Sequence, residues 1–167
     1  MNKYRIIFSP TGGTEKVANT MTKFWNEVKD IDLSKTDLGF SSISLTKEDI
    51  AVIAMPSFGG VAPQLALDRL AKMNGNQCKC AIVAVYGNRA YENTLVQMED
   101  YAVKAGFRVI TAVSAVAEHS MVKCIFKFYL ARVNSIPVEI TSAWIFPSSF
   151  YKILLQMIPC LCRRRIK

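Results

Sequence analysis

No apolar stretch of this chain reaches the roughly 18 uninterrupted residues that a membrane-crossing helix needs, so no segment reads as a transmembrane span. Histidine occurs once, at His119, and Cys-x-x-Cys occurs nowhere. The five cysteines form two Cys-x-Cys pairs, Cys78 with Cys80 and Cys160 with Cys162, and a single Cys124. Those absences exclude a zinc ribbon, a thioredoxin-type site and a bacterial ferredoxin cluster, and no metal site is expected. The opening Met-Asn-Lys-Tyr-Arg lacks the longer apolar segment and small-residue cleavage site of a signal peptide, and a cytoplasmic location is expected.

Acidic residues are scarce at one end. Residues 121–167 carry only Glu139 against eight Lys and Arg, whereas residues 1–120 carry 12 Asp and Glu against 13 Lys and Arg. The net charge of +8 therefore arises almost wholly in the tail. A basic tail on a near-neutral body is not the footprint of a nucleic-acid-binding domain, and no nucleic acid is expected as a partner.

What is present is a globular composition, 51% apolar and 20% charged over 167 residues, the size of one domain. Tyr4-Arg5-Ile6-Ile7-Phe8 is a strand-forming run that stops at a Gly-bearing turn. From Thr14 onward Val17, Ala18, Met21, Phe24, Trp25 and Val28 recur at helical spacing. Ile31-Asp32-Leu33 is a candidate short strand. Residues 50–55 and 80–86 are continuous apolar runs without alternation, as expected of strands buried on both faces of a parallel sheet. Each is followed by a Gly-bearing turn and then a helical pattern, over residues 63–72 (Leu65, Leu67, Leu70, Ala71) and about 91–104 (Leu95, Met98, Ala102). Residues 107–116 form the last clear strand. Five strands alternating with helices predict a doubly wound parallel α/β sheet.

The loop Ser9-Pro10-Thr11-Gly12-Gly13-Thr14 follows the first strand and opens the first helix. Ser9, Thr11 and Thr14 bring hydroxyls, and Gly12 and Gly13 let the backbone approach a ligand closely; a helix N-terminus adds N–H donors and a positive dipole end. The loop has no Lys and is not a Walker loop, so it suits a phosphate monoester such as that of FMN. The same residues also compose an ordinary strand-to-helix turn with capping hydroxyls. Position favours the ligand, because open α/β sheets place their crevice at this edge.

These residues carry a resemblance. The loop matches the Ser/Thr-x-Thr-Gly-x-Thr phosphate loop of flavodoxins. Pro56-Ser57-Phe58-Gly59-Gly60, Tyr86-Gly87-Asn88-Arg89-Ala90-Tyr91 and Ala117-Glu118-His119-Ser120 resemble the flavodoxin part of bacterial fusion proteins in which such a domain precedes a ferredoxin with two four-iron clusters. The resemblance covers about residues 4–120. It implies a flavodoxin-like three-layer doubly wound sandwich with a five-stranded parallel sheet in the order 2-1-3-4-5. It also implies FMN with its phosphate on Ser9, Thr11, Gly12, Gly13 and Thr14, and its ring flanked by residues 56–60 and 86–91.

Within those loops Phe58, Tyr86 and Tyr91 are stacking candidates, or core aromatics. The backbone of Gly59, Gly60 and Gly87 is expected at the ring's N1 and N5, where hydrogen bonds set the potential. Asn88 is expected to reach a ring carbonyl, and Arg89 either lies near the ring or is solvated. His119 has two readings, a polar group or proton donor over the flavin edge and a strand-end residue held by local hydrogen bonds. No catalytic residue can be assigned from spacing. Cys78 and Cys80 point to one side of a strand and read as reduced core residues.

Residues 1–120 thus read as the flavin-binding domain and residues 121–167 as an atypical basic tail, with a final helix expected at about residues 121–132. The cluster-binding cysteines of the relatives are absent. Two origins of the tail stay open: a frameshift or truncation, and a lineage-specific segment whose Trp144, Phe146, Phe150 and Tyr151 beside basic residues contact membrane headgroups or an acidic surface. The expected function is flavin-based electron transfer with a redox partner protein such as a ferredoxin or reductase. The alternatives are an NAD(P)H-dependent quinone or flavin reductase and a flavin-free interaction module.

Overall fold

The computed structural model describes residues 1–36, 39–87 and 90–117, and the backbone alone of Ile140–Thr141. In chain order these form β1 (Lys3–Ile7), α1 (Gly13–Met21), β2 (Val28–Asp32), a 3-10 turn (Phe40–Ser42), β3 (Ile50–Pro56), α2 (Gln64–Ala71), β4 (Lys79–Tyr86), α3 (Thr94–Lys104), β5 (Arg108–Val116) and β6 (Ile140–Thr141). The first five strands are parallel and lie in the order β2-β1-β3-β4-β5, the doubly wound arrangement expected. β6 adds two residues antiparallel to β5, with Ala115 opposite Ile140. Nothing in the sequence pattern announced it. The final helix expected at residues 121–132, and most of the tail, lie outside the described residues.

The side-chain period of two divides the interior into two layers. On one face Ile6, Ile53, Met55, Ile82 and Ala84 pack with Leu67 and Leu70 of α2 and Met98 and Ala102 of α3. On the other, Ile7, Val52, Ala54, Val83 and Val85 pack with Val17, Ala18 and Met21 of α1. β3 and β4 therefore bury both faces, which explains their unbroken apolar runs.

Helix ends depart from the periodicity, and the departures have local causes. α1 stops at Met21, short of Phe24, Trp25 and Val28. Thr22 turns its hydroxyl onto the Ala18 carbonyl at 2.8 Å, and the Trp25 N–H then bonds back to Thr22 O at 2.8 Å. The chain tightens, Glu27 takes a positive φ, and Val28 enters β2 three residues ahead of the strand expected. Phe24 is left 46% exposed. In α2 the inward face is Ala66, Leu67 and Leu70, while Leu65 and Ala71 face outward. α3 begins at Thr94 rather than near Tyr91, because residues 91–94 form a turn with the Thr94 N–H on Tyr91 O. It closes at Gly106, whose φ is 81°. The Phe107 N–H reaches Ala102 O and the Gly106 N–H reaches Val103 O, a Schellman closure with Phe107 buried beneath it.

Cys78 and Cys80 are both free and fully buried, as expected. Burial first, and the Asp49 charge second, push the Cys78 thiol up to about 12, and burial raises Cys80 as well. Neither forms a thiolate at neutral pH, and both serve as packing groups.

Asp49, 2% exposed, ties the N-terminus to the entrance of β3. Its carboxylate accepts the Asn2 N–H and side-chain amide at 2.7 and 3.2 Å, and the Thr46 N–H and hydroxyl at 3.0 and 2.8 Å. Burial alone would raise its pKa, but these four bonds to the charged form outweigh it and hold the carboxyl below 3.8. A depressed folded-state pKa stabilises the protein above the unfolded value and loses that contribution as pH falls through the folded one. Urea midpoints of the native protein should therefore drop below about pH 4, whereas those of Asp49→Asn should be lower at neutral pH and flatter across that window. Equal slopes for the two proteins would remove this role.

Candidate functional site

Because β1, β3 and β4 are adjacent and parallel, the loops that follow them emerge side by side at one edge of the sheet. The sequence-predicted residues 9–14, 56–60, 86–87 and 91 all lie there. Asn88, Arg89, Glu118 and His119 lie outside the described residues.

The first loop leaves the buried Phe8 and turns at Gly12, which caps α1 with a φ of 80°. No side chain caps the helix at this position. The Gly12 N–H bonds to Ser9 O at 3.3 Å, the Lys16 N–H to Gly12 O at 3.1 Å, and the Glu15 N–H to Ser9 Oγ at 3.0 Å. The N–H groups of Thr11, Gly13 and Thr14 donate to no acceptor among the described residues. A methyl group built on Gly12 or Gly13 would meet nothing within 4 Å, so a ligand can approach the loop backbone closely at these two residues. Thr11 is exposed and Thr14 buried at the base of the loop, and Ser9, accepting at a lone pair, keeps its hydroxyl proton to donate. Uncommitted amides at a helix N-terminus, with hydroxyls around them, form a site for an anion. The donor set fits a phosphate.

The second and third loops form a single wall. Residues 58–61 make a tight turn, Phe58 N–H to Val61 O at 2.9 Å, with Gly59 and Gly60 at φ of 63° and 88°. Two successive positive φ values are those of a type I′ turn and call for glycine. Gly60 O accepts the Asn93 N–H at 2.9 Å, Ser57 Oγ accepts the Thr94 hydroxyl at 2.8 Å, and Gln97 Oε1 accepts the Ala62 N–H at 3.0 Å. Glu92 folds over Gly60 so closely that a Cβ there would lie 2.7 Å from its Cδ. Gly60 is thus packed and its carbonyl committed, and the Ser57 hydroxyl is engaged within the wall. Gly59 faces open space.

Pro56 ends β3 opposite Val85, and the Ser57 N–H continues the ladder to Val85 O. Tyr86 and Tyr91 meet edge to face with centroids 5.3 Å apart, both half-buried. Phe58 is 54% exposed at the rim, the aromatic best placed to receive a planar ring. Thr94 and Gln97, which tie the loops, escaped the sequence reading. Both sit in an ordinary helical pattern, and their role depends on contacts 35 to 37 residues away. Ser34 escaped it too: its Oγ accepts the Ser9 N–H at 3.1 Å and anchors the first loop to the end of β2.

A five-stranded parallel sheet in the order 2-1-3-4-5, with helices on both faces and a glycine-bearing turn after the first strand, is the flavodoxin-like fold. Among solved structures the chain is similar to the two-electron reduced flavodoxin of Megasphaera elsdenii, at a TM-score of 0.50 and 18% identity over 68% of this chain and 84% of that one. It is also similar to a flavodiiron core from Synechocystis, at a TM-score of 0.51 and 22% identity over 71% of this chain and 31% of that one. At these identities the likeness is one of fold. No protein-family model matches the chain, and no curated protein does. Among the described residues no helix is long and apolar enough to cross a membrane, and no group of three or more His, Cys, Asp and Glu is placed to hold a metal ion.

Proposed function

We propose that the protein is an FMN-binding redox protein acting in electron transfer, with a ferredoxin or a reductase as its partner. The observation that carries the reading is the trio of amides at Thr11, Gly13 and Thr14 with no acceptor among the described residues, at the N-terminus of α1 beside two glycines with open space around them. Thr11, Thr14 and Ser9 supply hydroxyl donors to the same phosphate. Phe58, Gly59 and the Tyr86–Tyr91 pair border the place for the ring, and the bonds that join residues 57–62 to Asn93, Thr94 and Gln97 hold that wall together. When bound, FMN supplies one- and two-electron chemistry, and the chain's part is to orient it and limit water at its ring.

The test uses the full chain. Flavin absorbance of the purified protein and fluorescence quenching on titration with FMN should give a micromolar or tighter complex. Replacing Thr11 and Thr14 together by Val should weaken it by about 100-fold, the loss of two hydrogen bonds to a charged group. Absence of FMN binding by the native protein overturns the reading in favour of a flavin-free module. Rapid anaerobic reduction of the complex by NADPH alone would assign a reductase instead of a carrier.

A further inference from the structure

The edge of the sheet opposite the phosphate loop is a separate surface. Because β1 to β5 are parallel, all five begin at that edge, and α1, α2 and α3 end there. One register row crosses the sheet at the strand starts, running Val28, Lys3, Ile50, Lys79 and Arg108 from β2 to β5. At ~4.8 Å between strands the row is about 20 Å wide. Lys79 and Arg108 are exposed and Lys3 half-buried, and the exposed Lys29 follows Val28 in β2. The ends of the helices and the turns after them add Lys23, Lys72 and Lys104, all exposed.

Nothing among the described residues answers these charges. The one ion pair there is Arg5 with Asp30, so none of these cations has a carboxylate partner. Lys47 and Glu48 offset each other before β3, Asp49 is buried among its own hydrogen bonds, and Glu27 is the other exposed acid in the turns that lead into the strands. A lysine at a helix C-terminus offsets the helix dipole, which accounts for Lys72 and Lys104. Strands carry only a small net dipole, so Lys3, Lys29, Lys79 and Arg108 have no such role. The near balance of charge over residues 1–120 conceals this separation. Residues 121–167, with eight Lys and Arg against Glu139, bring more charge of the same sign. The neutralising charge has to come from outside the chain.

Apolar groups at the same edge specify its source. Phe24, 46% exposed, and the half-buried Trp25 lie in the turn between α1 and β2, and Val103, 57% exposed, precedes Lys104 at the end of α3. Lysine outnumbers arginine here, whereas nucleic-acid phosphates are met best by the arginine fork. Amines beside exposed aromatic and aliphatic side chains on a broad edge match anionic headgroups above acyl chains, with the amines at the phosphates and the apolar groups entering the boundary. We propose that the strand-start edge, through Lys3, Lys79 and Arg108 together with Phe24, docks on an anionic lipid surface. The phosphate loop then stands at the far end of the strands, about 25 Å away at ~3.3 Å per residue along the eight residues of β4, and stays open to a partner. Docking requires no bound flavin, so it stands or falls apart from the flavin reading.

The test is sedimentation of the full-length protein at ~0.1 M salt with vesicles of phosphatidylcholine alone and of equimolar phosphatidylcholine and phosphatidylglycerol. The protein should pellet with the anionic vesicles only, and ~1 M salt, which shortens the Debye length to about 3 Å, should release it. Two variants lose the same charge at opposite edges: Lys79→Gln with Arg108→Gln at the strand starts, and Lys16→Gln with Lys35→Gln near the phosphate loop. Circular dichroism checks that each folds; should the first pair misfold, Lys72→Gln with Lys104→Gln removes the same charge from the helix ends. At about fivefold in affinity per cation near an anionic surface, the first pair should weaken binding by at least about tenfold and the second by less than about twofold. Equal weakening by the two pairs overturns the proposal, since net charge or the basic tail then carries the binding. Absence of binding to the anionic vesicles overturns it as well, and tighter binding to an RNA duplex than to those vesicles assigns the edge to nucleic acid instead.

Discussion

Gly13→Asp is expected to abolish FMN binding and leave the protein folded. A Cβ at residue 13 meets nothing within 4 Å, and its backbone is not at positive φ, so the substitution costs the fold little. An acidic residue in the first turn of a helix is moreover stabilising through the dipole. The same side chain would place a negative charge in the loop whose Thr11, Gly13 and Thr14 amides have no acceptor among the described residues, where a phosphate needs donors. Losing two or more charge-assisted hydrogen bonds, together with like-charge repulsion, predicts a weakening of at least about 100-fold. The urea midpoint should stay within the spread of neutral surface changes, about 0.5 kcal/mol in stability. Retention of FMN affinity by a folded Gly13→Asp protein would show that the phosphate lies elsewhere.

Ile82→Ala carries the largest expected effect on stability. Ile82 is fully buried at the centre of β4, paired in register with Ile53 of β3 and Ala112 of β5, in the layer capped by α2 and α3. A central strand of a parallel sheet has neighbours on every side, so little can move to fill the space left by the removed carbons. The expected cost is about 2–5 kcal/mol, a large fraction of the ~5–15 kcal/mol that stabilises a domain of this size. It should be read as a lower urea midpoint at unchanged slope. The complementary change Leu65→Ala, on the outward face of α2 where Leu65 is 53% exposed, should cost far less, although helical spacing alone ranks Leu65 with the buried Leu67 and Leu70.

That contrast marks where the pattern of residues runs out. The continuous apolar runs of β3 and β4 are visible because each residue type reports burial directly. The inward face of α2 is not, since Leu65, Ala66, Leu67, Leu70 and Ala71 satisfy helical spacing with more than one choice of face. Packing of Ala66, Leu67 and Leu70 against the sheet and α3 settles the rotation. The end of α1 was misplaced for a similar reason. Phe24, Trp25 and Val28 continue the period, but after Thr22 the chain turns back on itself, Trp25 N–H to Thr22 O, and Glu27 takes a positive φ.

The phosphate loop shows the division most clearly. Ser9-Pro10-Thr11-Gly12-Gly13-Thr14, the strand before it and the helix after it were determined by the sequence itself, because turn glycines, β-branched runs and helical periodicity act over a few neighbouring residues. The order of the strands was legible as well, since alternating strands and helices leave few parallel arrangements. Tertiary structure alone decided that Ser34 holds Ser9 and that Asn93, Thr94 and Gln97 lock the wall at residues 57–62. The bonds by which Ser34, Asn93, Thr94 and Gln97 act join residues 25 to 37 positions apart. Their partners are chosen by the register of parallel strands and the rotation of the helices between them, and neither is encoded in any short stretch of chain.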